Sequence, residues 1–198
     1  MPEPRPKPAI VVIGHEHRET MVSELSKRYA ADYEIVAPAT MPEVVEALRG
    51  LGDDRRPIAL VACDLFADGQ KATHVFAKIQ RFVPTARRLV LIPADRFRGS
   101  TGAMRDSISN GSIDAYLLLP QGPRDEEFHA AIVDLLSDWG SSVNTSEIEG
   151  TRIVADQPSA DLTRARGFLN QLGMPHTVHA SDSVAGREVL AMAPDDAE

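Results

Sequence analysis

Asp64 is the residue best placed to do chemistry. It ends an apolar run, Ile58-Ala59-Leu60-Val61-Ala62-Cys63, that reads as a buried strand. A carboxylate at the carboxyl end of a central strand is where open α/β sheets gather their reactive groups. For such a carboxylate to accept a phosphoryl group, hard oxygen ligands must hold a divalent cation and positive charge must face the transferred group. The other apolar runs end in Gly14-His15, in Ile92 and in Leu119, with Glu16 one place beyond His15. Among those positions only Glu16 offers a hard oxygen, and none is a lysine or arginine.

His15-Glu16-His17 raises a metal reading, because closely spaced histidines ligate zinc or copper. With no third ligand nearby in sequence, the three residues read as a polar start to the first helix. No metal is expected; His15, Glu16 and Asp64 are the donors that would have to converge for one. The single cysteine, Cys63, excludes an internal disulfide and a CxxC pair, and its place inside a strand run makes it a small buried hydrophobe. Arg98-Gly99-Ser100-Thr101-Gly102 does not follow a phosphate-cradle pattern and reads as a surface loop. His176 and His179 are expected at the surface, with Asp156 and Asp161 flanking and capping the helix at 159–172.

The elements that must position Asp64 alternate. Ala9–Ile13, Tyr33–Ala37, Ile58–Cys63, Leu89–Ile92 and Ile113–Leu119 are strand runs bounded by Gly or Pro. Between and after them lie apolar spacings of helical period: Met21, Val22, Leu25 and Tyr29; Val44, Val45 and Leu48; Val75, Phe76 and Ile79; and Phe128, Ile132, Leu135, Leu136 and Trp139. The helix before the fifth strand is the weakest, confined to 102–109 with Met104 and Ile108 as anchors, and 65–69 reads as a loop. Strand–helix alternation of this kind specifies a doubly wound, five-stranded parallel sheet of flavodoxin-like order 2-1-3-4-5. Its crevice lies where Gly14, His15, Glu16 and Asp64 converge.

Gly140–Glu149 is Ser-rich and reads as a linker. A further strand–helix–strand pattern follows, with a helix at 159–172 burying Leu162, Ala165, Phe168 and Leu169. So small a unit, at 150–198, is expected to dock on the first domain, self-associate, or open a domain that continues in a longer protein.

The chain has 198 residues, 43% hydrophobic and 25% charged, with a formal net charge of −8, which describes a globular protein. That charge argues against nucleic acid or an anionic membrane surface as partner. No stretch approaches the ~20 apolar residues that span a bilayer, and a cytoplasmic location is expected. The basic pairs Arg55-Arg56 and Arg87-Arg88 are expected to solvate loop edges.

Residues 1–139 resemble the receiver domain of response regulators, through the five-fold strand–helix order, Asp64 at the end of the third strand and Leu119-Pro120 at the end of the fifth. The resemblance implies that Asp64 is the phosphoacceptor equivalent. It also implies that the metal-binding acid pair falls on Gly14-His15, the phosphate-binding hydroxyl on Ile92 and the neutralising lysine on Leu119. Only Asp64 is kept, so the resemblance implies a pseudo-receiver. With Pro84-Thr85-Ala86-Arg87-Arg88 and Ala131–Trp139, the chain is similar to the N-terminal part of receiver–thioredoxin-reductase fusion flavoproteins, where a short thioredoxin- or glutaredoxin-like βαβ segment follows. Gly150–Val178 matches that segment, with Asp156-Gln157-Pro158-Ser159-Ala160 where a CxxC would lie. The resemblance implies a non-catalytic regulatory or docking module without cofactor, a homodimer, and a reductase domain of the same or another chain as partner. The competing expectation is a receiver driven by phosphorylation of Asp64, with Glu16 as metal ligand.

Overall fold

The computed structural model describes residues 6–54, 56–120, 125–143, 151–171 and 176–192. The chain divides into two compact units, Met1–Phe128 and His129–Glu198. No helix among the described residues is long and apolar enough to cross a membrane.

The first unit opens with β1 (Ala9–Ile13), α1 (Arg18–Tyr29), β2 (Glu34–Val36), α2 (Met41–Asp53) and β3 (Ile58–Asp64). Every residue of β1 and β3 is buried, as follows for aliphatic runs covered on both faces of a parallel sheet. At the start of α2 the Thr40 hydroxyl accepts the Glu43 N–H, and the Glu43 carboxylate reaches back to the Ala39 N–H. The first bond satisfies an orphan donor of the helix end, and the second ties down the residue before the cap.

The segment after Asp64 is not a plain loop. It folds into a hairpin of β4 (Phe66–Ala67) and β5 (Gln70–Lys71), turned by Asp68 and Gly69 with φ of 51° and 71°. Two successive positive φ angles make the tight turn whose twist suits a hairpin, and Asp-Gly is a preferred pair for it. The helix α3 (Ala72–Ile79) follows, then β6 (Arg87–Ile92), α4 (Ala94–Ser109) and β7 (Ala115–Leu118). All five long strands are parallel, in the order β2-β1-β3-β6-β7, which is the expected order with the hairpin left outside the sheet.

The helix α4 begins at Ala94, so the glycine-containing segment 98–102 is helical rather than a surface loop. Only Met104 and Ser107 are buried along its length. A helix that buries so little leaves no apolar period in the sequence, and Gly99 and Gly102 lower its intrinsic propensity by about 1 kcal/mol each. Phe97 holds its first turns against Tyr116 of β7, with ring centroids 5.9 Å apart.

The arginine pair Arg87-Arg88 opens β6 and is not a solvated edge. One Asp114 carboxylate oxygen accepts the Arg88 backbone N–H at 2.8 Å and its Nε–H at 3.0 Å, while the other lies 3.7 Å from the Arg87 guanidinium. The Asp114 N–H in turn donates to the Arg88 carbonyl. One side chain thus fixes the register between the starts of β6 and β7.

The second unit contains α5 (Glu126–Val143) from His129 onward, β8 (Thr151–Val154), α6 (Ala160–Gln171), β9 (His176–His179) and α7 (Val184–Met192). The helix α5 runs through Gly140 to Val143; the remainder of the expected linker lies outside the described residues. β8 and β9 pair in parallel across α6, a βαβ unit. The backbone N–H groups of His176 and Val178 each lie 3.4 Å from a hydroxyl of α5, Ser137 and Ser141 respectively. The strand β9 therefore has a partner on both sides, which explains why His176 and His179 are buried, at 1% and 4% exposure, and not at the surface. Burial lowers the pKa of His179, and the Arg152 charge adds to this.

Asp156 does not cap α6. It accepts the Ser181 N–H and hydroxyl at 2.7 and 2.8 Å, and these bonds hold its pKa below the usual carboxylate range. The cap is Ser159, whose hydroxyl accepts the Leu162 N–H at 3.0 Å; Asp161 pairs with Arg164 one turn on. Phe168, expected in the core, is 61% exposed.

The Asp114 clamp sets a stability prediction. Asp114→Ala should lower the unfolding free energy by about 1–2 kcal/mol, the worth of hydrogen bonds to a part-exposed charged acceptor, read as a lower urea midpoint. Asp114→Asn, which keeps one acceptor oxygen, should cost less.

Candidate functional site

The order of strands reverses at β1 and β3, so the crevice of the sheet opens at their carboxyl ends. Ile13 and Cys63 stand side by side there, and Asp64 lies beside Leu91. The sheet thus delivers Asp64 to the position expected of it, but with only 3% of its surface exposed.

Its partner is His17. Nδ1 of His17 lies 2.9 Å from Oδ2 of Asp64, and with the proton on Nδ1 the imidazole donates to the carboxylate. His17 is the residue just before α1 and caps no backbone group with its side chain. That placement leaves its ring free to reach across the crevice. The two histidines of the β1–α1 turn were both visible in the sequence, and the path of the turn separates them. His15 and Glu16 are exposed, whereas His17 is half-buried on the carboxylate.

Gly14 is buried at the mouth of the turn. A Cβ placed on it would collide with the terminal methyl of Met21, itself fully buried on α1. The position that follows β1 therefore has no side chain and no room for one while Met21 stays packed. Ile92 is fully buried. Leu119 is half-buried, its N–H donating to the Ile92 carbonyl at 2.9 Å. Hydrocarbon thus occupies the ends of β6 and β7.

Magnesium takes several hard oxygen ligands in near-octahedral order. At this crevice Gly14 offers none, Glu16 is exposed, and one oxygen of Asp64 is held by His17. These residues do not fit the ion, and His15, Glu16 and Asp64 do not converge. No group of three or more His, Cys, Asp or Glu able to hold a metal occurs among the described residues. Beside Asp64, burial and then the carboxylate charge raise the pKa of the Cys63 thiol, so it remains a protonated core residue.

No protein-family model matches the chain, and no curated protein does. Solved structures do match its fold. The signal receiver domain of an HD domain-containing protein from Pseudomonas fluorescens Pf-5 is 18% identical, with a TM-score of 0.54 over 71% of this chain and 94% of that one. A CheY-like response regulator receiver domain protein from Methanospirillum hungatei JF-1 is 17% identical, with a TM-score of 0.52 over 70% and 99%. An adenylate cyclase from Rhodopirellula baltica is 17% identical, with a TM-score of 0.54 over 70% and 93%. These neighbours define the class by fold alone: a receiver-like, flavodoxin-like domain.

The His17–Asp64 contact predicts an asymmetric pair of variants. His17→Ala leaves a buried carboxylate short of a donor and should cost about 1–3 kcal/mol in urea unfolding. Asp64→Asn keeps an oxygen that accepts from Nδ1–H and should cost less than half as much. Equal losses would refute the assignment of His17 as donor.

Proposed function

We propose that the chain is a non-catalytic regulatory module, a pseudo-receiver that works as a docking and dimerisation domain and not as a phosphorylated switch. The observation that carries this reading is the hydrogen bond from His17 to the buried Asp64. Attack on a phosphoryl group requires an available carboxylate oxygen, a bound cation and positive charge to stabilise the transferring group. One oxygen of the buried Asp64 is held by His17, and the neighbouring strand ends present Ile92 and Leu119 in place of a cation.

On this reading the receiver-like part lies in the first unit, and β8, α6 and β9 form a thioredoxin-like βαβ unit without cysteines. The partner is a thioredoxin-reductase-like flavoprotein domain in the cytoplasm, in the same chain or another. Self-association is favoured by apolar side chains on α4 and β7: Ile108 and Leu118 are 41% and 40% exposed, beside Tyr116.

Incubation with acetyl phosphate and Mg²⁺ followed by intact-mass measurement should give no adduct. A stable gain of about 80 Da, the mass of one phosphoryl group, mapped to Asp64 would establish the phosphorylation-driven alternative instead. Sedimentation at high micromolar concentration should give a dimer that Ile108→Glu weakens; a monomer under those conditions would remove the dimerisation part of the proposal.

A further inference from the structure

A cavity with a volume of about 250 Å³ lies between the β4–β5 hairpin and α4. Leu65, Phe66 and Met104 line it with hydrocarbon. It exists because α4 turns small residues toward the hairpin: Gly99, Ser100 and Ala103 line its other wall, and a Cβ on Gly99 would meet nothing within 4 Å. Space of this size holds roughly eight waters' worth of liquid, and so a ligand of comparable heavy-atom count.

The polar groups at this cavity have one sign. Lys71 lines it, no acidic residue does, and Lys71 pairs with no carboxylate among the described residues. In a chain of net charge −8 an unpaired lysine beside an apolar cavity marks a local preference for negative charge. The hydroxyls of Thr73 and Ser100 also line it and bond no described residue, so each can donate to an oxygen. Arg96 stands over the Phe66 ring, 5.6 Å from its centroid, and pairs with Asp95, which leaves Lys71 as the cation that lines the cavity; one ammonium suits one negative charge better than the doubly charged face of a phosphate.

The geometry points to a binding site for a small amphiphilic carboxylate, its apolar body against Phe66 and Met104 and its carboxylate at Lys71. The hairpin that forms one wall starts directly after Asp64. A ligand seated there would bridge the Asp64 end of β3 to α4, giving the domain an input that needs no phosphoryl group. This rests on the reading of the domain as a pseudo-receiver only for the meaning of that input; the cavity itself does not depend on it.

The test is a titration followed by amide NMR with hexanoate and, as the uncharged body, hexanol. Hexanoate should shift the amides of Phe66, Lys71 and Ser100 with a Kd of about 1 mM, an ordinary efficiency for a ligand of this size, and hexanol should bind about tenfold more weakly. Lys71→Met should reduce hexanoate to the level of hexanol. Ser100→Leu, which fills the cavity from a part-exposed position, should abolish both while the remaining spectrum stays folded. No shift at these amides well above 1 mM hexanoate, or equal binding of hexanoate and hexanol, overturns the proposal. Phosphorylation of Asp64 is read separately by mass, so either result can fail without the other.

Discussion

A carboxylate that is 3% exposed must find a donor, because leaving such a group unsatisfied costs more than a single hydrogen bond returns. In this protein the donor comes from the turn before α1, and the bond from His17 to Asp64 joins the carboxyl ends of β1 and β3 across the crevice of the sheet. Met21 of α1 packs over Gly14 at the same end of β1. Chemistry at Asp64 would have to begin by breaking an interaction the fold relies on.

Much of this architecture was legible in the residues. Unbroken aliphatic runs such as Ala9–Ile13 and Ile58–Cys63 can only be strands covered on both faces, and strand–helix alternation leaves few parallel topologies. The position of Asp64 followed from its place at the end of such a run. What escaped was whatever buries little or depends on space alone. The helix α4 hides two residues along its length and so leaves no periodic trace, and the hairpin at 66–71 is too short to show alternation. His17 was visible as one of two histidines, but which of them would reach Asp64 depends on how the turn is directed, and spacing does not carry that information.

The second unit shows the same dependence on placement. Its βαβ pattern was readable from Ile153-Val154 and from the helix that follows, whereas the burial of His176 and His179 was not. Histidine carries no strong preference for core or surface, and it was the hydroxyls of Ser137 and Ser141 along β9 that made an inner strand of it. A strand with covered edges is protected from pairing with other chains. The serines of α5 thus do for β9 what a neighbouring strand would do in a larger sheet.

Met21 over Gly14 has a consequence for how the turn can vary. A Cβ at position 14 would meet the terminal methyl of Met21, so a side chain there is accommodated only if that flexible thioether swings aside. The tolerance of one position is thus set by the rotamers open to the other, and substitutions at 14 and 21 are expected to be non-additive.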